Sequence, residues 1–160
     1  MRIGSQCSGF TFIELVATLA IVGVLSWLAL PVIETQSRRV REAELRSALR
    51  DIRRAIDSYK LAWEQGRIER KLDQSGYPPS LEILVDGVVD ARDPKRARIY
   101  FLRRIPGDPF SADPSAAPGT SWGKRSYRSD PDTPTEGEDV FDVYSFSNKS
   151  GLNGVAYRRW

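Results

Sequence analysis

Residues 15–33 read LVATLAIVGVLSWLALPVI, nineteen consecutive positions without a charge and without a polar face. Coiled as a helix at ~1.5 Å per residue, the run spans roughly 28 Å, close to the ~30 Å hydrocarbon core of a bilayer. A helix in a globular core keeps a polar side. A secretory signal peptide has a shorter apolar stretch and then a small-x-small cleavage site, whereas Pro31, Val32, Ile33 and Glu34 close this one. The pattern predicts a membrane helix.

A second period follows. Leu45, Leu49, Ile52, Ile56, Tyr59 and Trp63 step by four and three in alternation, which puts them on one helical face. Ala43, Ala48, Ala55 and Ala62 widen that face and favour helix. No Gly or Pro separates Val32 from Gln65, and Gly66 is a stop signal. The spacing predicts one helix over about 10–65, its first half in lipid and its second half packed on a small domain. Nine of the ten prolines lie between Pro78 and Pro134, so the rest is rich in turns. Leu81 to Val85 reads as a helical turn ended by Gly87, and Ile99 to Leu102 as a short apolar segment. Strands are predicted near 121–128, 139–147 and 155–159, the middle one carrying Val140, Phe141, Val143, Tyr144 and Phe146. The expected fold is α+β: a long N-terminal helix against a small antiparallel three-stranded sheet.

Composition narrows the chemistry. The 160 residues contain no His, so His-based triads, His-ligated zinc and histidine general bases are excluded. The lone Cys7 closes no internal disulfide. With 24 Lys+Arg against 21 Asp+Glu, the formal charge of +3 does not point to nucleic acid. A membrane-tethered enzyme or binding module would have to use carboxylates such as Asp139 and Asp142, which at i,i+3 in a strand point to opposite faces. Glu14 is the anomaly at the edge of the apolar segment. A carboxylate there costs up to ~2.5–3.5 kcal/mol at mid-helix and less near an end, and a nearby freed amino terminus is its most economical partner in an assembly. From Arg38 to Arg54 seven arginines stand against Glu42, Glu44 and Asp51. That face reads first as solvated, with attraction to anionic lipid and contact between subunits as the alternatives.

The string Gly9-Phe10-Thr11-Phe12-Ile13-Glu14-Leu15, a short polar leader ahead of an uncharged run, resembles the class III signal of type IV pilins and type II secretion pseudopilins. The segment Tyr100-Phe101-Leu102-Arg103-Arg104-Ile105-Pro106-Gly107-Asp108-Pro109 is similar to the Y-L-x-x-x-P-x-D-P segment of the major, G-type pseudopilin. The resemblance implies a leader, 1–9, removed between Gly9 and Phe10 by a prepilin peptidase, and methylation of the Phe10 amine. It implies an assembly helix over 10–33, an amphipathic continuation over 34–65 and a loop-rich periplasmic region over 66–160. Glu14 would pair with a neighbouring subunit's Phe10 amine, and Gly23 and Pro31 would loosen the helix. Pro31 also removes one helical hydrogen bond.

The implied protein is a structural subunit, not an enzyme. It would cross the inner membrane once, place its C-terminal domain in the periplasm, and build a filament that exports folded proteins. Implied partners are further copies, other pseudopilins, the peptidase, a platform protein, an assembly ATPase and membrane lipid, with no nucleic acid. A minor pilin of a type IV pilus or DNA-uptake filament is the alternative. The charge bias opposes this topology, because Arg38, Arg39 and Arg41 follow the apolar run and only Arg2 precedes it; the leader is the more specific signal. Absence of cysteine after the leader removes the disulfide-bounded loop common in major pilins and favours the pseudopilin branch. G-type pseudopilins carry Ca²⁺ in the loop that corresponds to 147–154, which here holds no Asp or Glu and a Lys. Six carboxylates lie between Asp130 and Asp142, and a solvated loop is the preferred reading of them. The remaining candidates for a cation are Asp139, Asp142, Asn148 and Asn153.

Overall fold

The computed structural model describes residues 10–70, 74–113, 115–130 and 132–160, the side chains of 27–33 excepted. The chain divides into two units, Met1–Arg39 and Val40–Trp160. Helix α1, Phe12–Glu64, runs through the division for 53 residues. In the first unit every described side chain from Phe10 to Ser26 is exposed. Among the described residues no helix is long and apolar enough to cross a membrane, so the span expected over 10–33 is not found there. The side chains of 27–33, which complete the uncharged run, lie outside the described residues.

The second unit is organised by the other half of α1. Leu45, Leu49, Ile52, Ile56 and Tyr59 are all buried, and Trp63 is half-buried at the edge of the same cluster. Against them lie Leu81 and Leu84 of the α2 region (Glu82–Asp86), Trp122, Val140, Val143 and Tyr157. The end of α1 is set by Gly66 at φ +69°, which only glycine adopts without strain. The Arg67 N–H reaches the Ala62 carbonyl and the Gly66 N–H the Trp63 carbonyl, both at 2.9 Å, which together close a Schellman motif.

The sheet departs from expectation. Among the described residues four strands form two separate antiparallel pairs: β1 (Val88–Val89) with β2 (Arg98–Ile99), and β3 (Trp122–Arg125) with β4 (Asp142–Ser145). In the second pair Trp122 faces Ser145 and Arg125 faces Asp142. Gly123 is required there, because a Cβ would sit 2.3 Å from the Tyr144 ring that crosses it. The third strand expected over 155–159 is instead a single Ser150–Ala156 bridge followed by a 3₁₀ turn, Tyr157–Arg159. Tyr157 and Trp160 are three residues apart and meet edge to face at 5.0 Å; alternation along a strand would have sent them to opposite faces.

Two-stranded pieces are not stable alone, and polar side chains of α1 tie these pieces down. The buried Glu42 carboxylate accepts the Leu152 N–H at 2.7 Å and the Tyr157 hydroxyl at 3.0 Å. Eleven residues further on, the Arg53 guanidinium donates to Asp142 at 2.7 Å, to the Val143 carbonyl at 3.2 Å and to the Trp160 main-chain oxygen at 2.8 Å. Tyr157 is also stacked on Phe110 at 4.2 Å. Tyr157→Ala therefore removes core volume and a donor to a buried carboxylate, and should cost about 3–5 kcal/mol by urea unfolding. Tyr157→Phe, which removes the donor alone, should cost about 1–3 kcal/mol.

Candidate assembly site

The first turn of α1 explains why a carboxylate stands at its apolar end. Thr11 is the N-cap: its carbonyl accepts the Leu15 N–H at 3.1 Å, and its hydroxyl oxygen lies 3.4 Å from the Glu14 N–H. Thr11 and Glu14 form the Thr-x-x-Glu spacing of a capping box, a signal present in the sequence that the apolar run had overshadowed. Glu14 thus sits in the first helical turn, where the macrodipole favours negative charge by ~0.3–1 kcal/mol. It is exposed, and among the described residues no cation lies within ion-pair distance of it. Further along, Thr18 donates to the Leu15 carbonyl at 2.9 Å and Ser26 to the Val22 carbonyl at 2.8 Å, so the only hydroxyls of this stretch are satisfied inside the helix.

Around this carboxylate the surface is apolar. Phe10, Phe12 and Ile13 are 82%, 83% and 77% exposed, and Leu19, Ile21, Val22, Val24 and Leu25 are each more than half exposed. A contiguous apolar surface of this extent marks a site for lipid or protein. Gly23 has open space where a Cβ would be, so nothing within the described chain requires glycine there. Pro31 lies within the bounds of α1, which runs through it. Gly9 lies outside the described residues.

The other candidates are scattered among separate tasks. Asp142 is the partner of Arg53. Asp139 accepts hydrogen bonds from the Ser75 hydroxyl, the Ser126 hydroxyl at 2.6 Å and the Tyr127 N–H at 2.9 Å. Asn153 accepts the Val155 N–H at 3.1 Å, and Asn148 is exposed. Among the described residues no group of three or more acidic, Cys or His side chains is placed to hold a metal ion. The 147–154 loop offers only neutral oxygens beside Lys149, a poor charge complement for Ca²⁺. Asp108 of the Pro-Gly-Asp-Pro segment has a structural role that its sequence did not disclose. It is buried, accepts the Ser145 hydroxyl at 2.5 Å and the Phe110 N–H at 2.8 Å, and so joins that segment to β4.

A capped helix that leads with an exposed carboxylate, is apolar all round, and continues into the core of a small α+β domain defines a prepilin-type subunit. Residues 4–30 match the family model described as the prokaryotic N-terminal methylation motif. The chain is 29% identical over 117 residues to the type II secretion system core protein G of Klebsiella michiganensis, covering 71% of this chain and 74% of that one. It is 29% identical over 120 residues to the protein of that name from Pseudomonas aeruginosa, covering 72% and 77%. With its namesake from Dickeya chrysanthemi it shares 25% identity over 151 residues, covering 91% and 92%. No solved structure matches. The chain thus carries the prokaryotic N-terminal methylation motif and is similar to the G-type pseudopilins of type II secretion.

The hydrogen bonds on Asp139 give this domain a pH dependence. Burial alone pushes its carboxyl up, but the bonds from Ser126, Ser75 and Tyr127 outweigh burial and hold it below the ordinary value. A depressed folded pKa contributes stability above the unfolded value near 3.9, lost as the pH falls through the folded one. Hydrogen bonds and the nearby guanidinium of Arg67 depress Asp90 likewise, so the readout is a difference. The urea midpoint of the parent should fall more steeply below about pH 4 than that of Asp139→Asn, and the two profiles should run parallel above pH 5.

Proposed function

We propose that this chain is a structural pseudopilin subunit of a type II secretion filament, processed between Gly9 and Phe10 and assembled through α1. The observation that carries this reading is the exposed apolar surface of 10–26 with Glu14 in its first turn. Removal of 1–9 would leave Phe10 with a new amino group four residues ahead of Glu14. In the membrane neither charge is satisfied alone. Stacking of subunits would bring the Phe10 amine of one copy to Glu14 of the next while their apolar sides cover one another. In lipid these apolar sides are already out of water, so close packing of the helices favours association and the charge pair fixes the axial register. Methylation of Phe10 would add bulk to that amine while keeping its positive charge.

In this reading the anchor crosses the inner membrane and the second unit lies in the periplasm. A prepilin peptidase, a platform protein, an assembly ATPase, membrane lipid and other pseudopilins are its partners, and the growing filament moves folded proteins toward the outer membrane. The domain is held together by Glu42 and Arg53, and no catalytic step is assigned to it. Cells carrying Glu14→Ala should still cleave the leader, while recovery of sheared filaments drops by at least about tenfold, since removing one partner leaves the other charge buried and unpaired. Normal filament recovery from Glu14→Ala would remove the pairing. Chelation of divalent cations should leave the thermal midpoint of the full chain within about 1 °C, measured in detergent with and without Ca²⁺.

A further inference from the structure

The β3–β4 pair ends on an arginine whose obvious counter-ion is already taken. Arg125 stands opposite Asp142 in the ladder, and cross-strand neighbours of opposite charge ordinarily attract one another. Asp142 instead accepts Arg53 at 2.7 Å and the Val143 N–H at 2.8 Å. Two further guanidiniums come from the 3₁₀ turn Tyr157–Arg159, in which Tyr157 is buried while Arg158 and Arg159 stay exposed. Arg125, Arg158 and Arg159 together line a cleft of about 700 Å³, with Asp132, Thr133 and Pro134 as the rest of its wall.

Three guanidiniums here meet one carboxylate, a surplus of two positive charges, and Asp132 lies beyond ion-pair distance of all three. Their side chains make no hydrogen bond or ion pair among the described residues. Arg158 rests over the Tyr144 ring at 5.3 Å, a contact that uses none of its N–H donors. Arg159 also borders the groove of Arg46, Arg50 and Arg53, where the Trp160 main-chain oxygen takes Arg53 and no carboxylate lines the wall. The Arg125 Nε is buried and has no acceptor, which is unusual for a polar group inside a folded chain. Turning toward a ligand therefore costs this guanidinium no existing bond and supplies the acceptor it lacks.

We propose that this cleft binds the terminal phosphate of a phosphomonoester. Charge favours that class, since such a group carries about 1.5 to 2 negative charges at neutral pH and meets the surplus of the wall. Geometry favours it as well. Each planar guanidinium takes oxygens side-on through two parallel N–H bonds; a carboxylate has two oxygens to share among the forks, whereas a terminal phosphate has three. The Thr133 hydroxyl is a further donor on the wall. A phosphate fills only part of the volume and leaves room for the group that bears it, in the manner of small-molecule clefts of roughly 300–1,000 Å³. That bearer is a soluble molecule or a lipid headgroup, and the terminal phosphate is the chemistry common to both. The site lies apart from the Phe10–Glu14 contact and does not depend on it.

Isothermal titration calorimetry of the full chain in detergent and phosphate-free buffer, with glycerol 3-phosphate as the probe, reads the site directly. One-to-one saturation is expected, and glycerol should give no binding heat. Arg125→Gln and Arg159→Gln should each weaken binding by about tenfold or more. Lys95→Gln, an exposed charge outside the cleft, should leave it within about twofold. Arg159 is exposed and unbonded, so its variant keeps the test valid even where Arg125→Gln disturbs the fold. No saturation by the parent, parental affinity in Arg159→Gln, or equal weakening by Lys95→Gln overturns the site. Nanodiscs then separate the two bearers. Equal affinity for glycerol 3-phosphate in discs containing phosphatidic acid and in discs containing the same fraction of phosphatidylserine assigns a soluble ligand. Weaker binding in the phosphatidic acid discs alone, absent from Arg159→Gln, assigns the phosphate of a lipid headgroup.

Discussion

The apolar half of α1 has nothing in its own unit to lie against. Every described side chain from Phe10 to Ser26 faces outward, and the hydroxyls of Thr18 and Ser26 are turned back onto the helix backbone. A surface of that kind is stable only when lipid or other copies cover it. The demand for a cover organises the molecule: the first unit is made to be surrounded, and the second is made to fold alone.

The second unit achieves this with little regular structure. Its two antiparallel pairs total twelve residues, too few to hold a core unaided. The stripe from Leu45 to Tyr59 supplies the common apolar wall, and charged side chains fix the loops against it. Glu42 and Arg53 on α1, Asp108 in the Pro-Gly-Asp-Pro turn and Asp139 before β4 each receive several donors or acceptors from distant segments. Removing one partner leaves a desolvated charge, which costs far more than an exposed pair contributes.

Both halves of α1 were legible because period and length are local properties. The apolar run announced itself, the 4-3 stepping named the buried face residue by residue, and Gly66 marked the end within two residues. β3 and β4 were legible in place and too long in extent, since the Ser126 N–H leaves the ladder for the Thr135 carbonyl. The third strand was misread because Val155 and Tyr157 look alternating, while the i,i+3 pairing of Tyr157 with Trp160 needs a turn. The β1–β2 hairpin was too short to signal. At the assembly site, Glu14 was found as an intruder in an apolar run, and its cap by Thr11 was overlooked. The ties from Glu42 and Arg53 were illegible for a plainer reason: their partners lie some 90 to 115 residues away, and a single sequence holds no record of such pairs.

The account depends on a new amino terminus arising at Phe10, since without it Glu14 has no counter-charge to meet. Intact-mass and N-terminal peptide analysis of the protein in sheared filaments tests this most directly. The account predicts a chain that begins at Phe10 with one methyl group on its α-amine and lacks Cys7 altogether. Filaments built from chains that still carry residues 1–9 would contradict it.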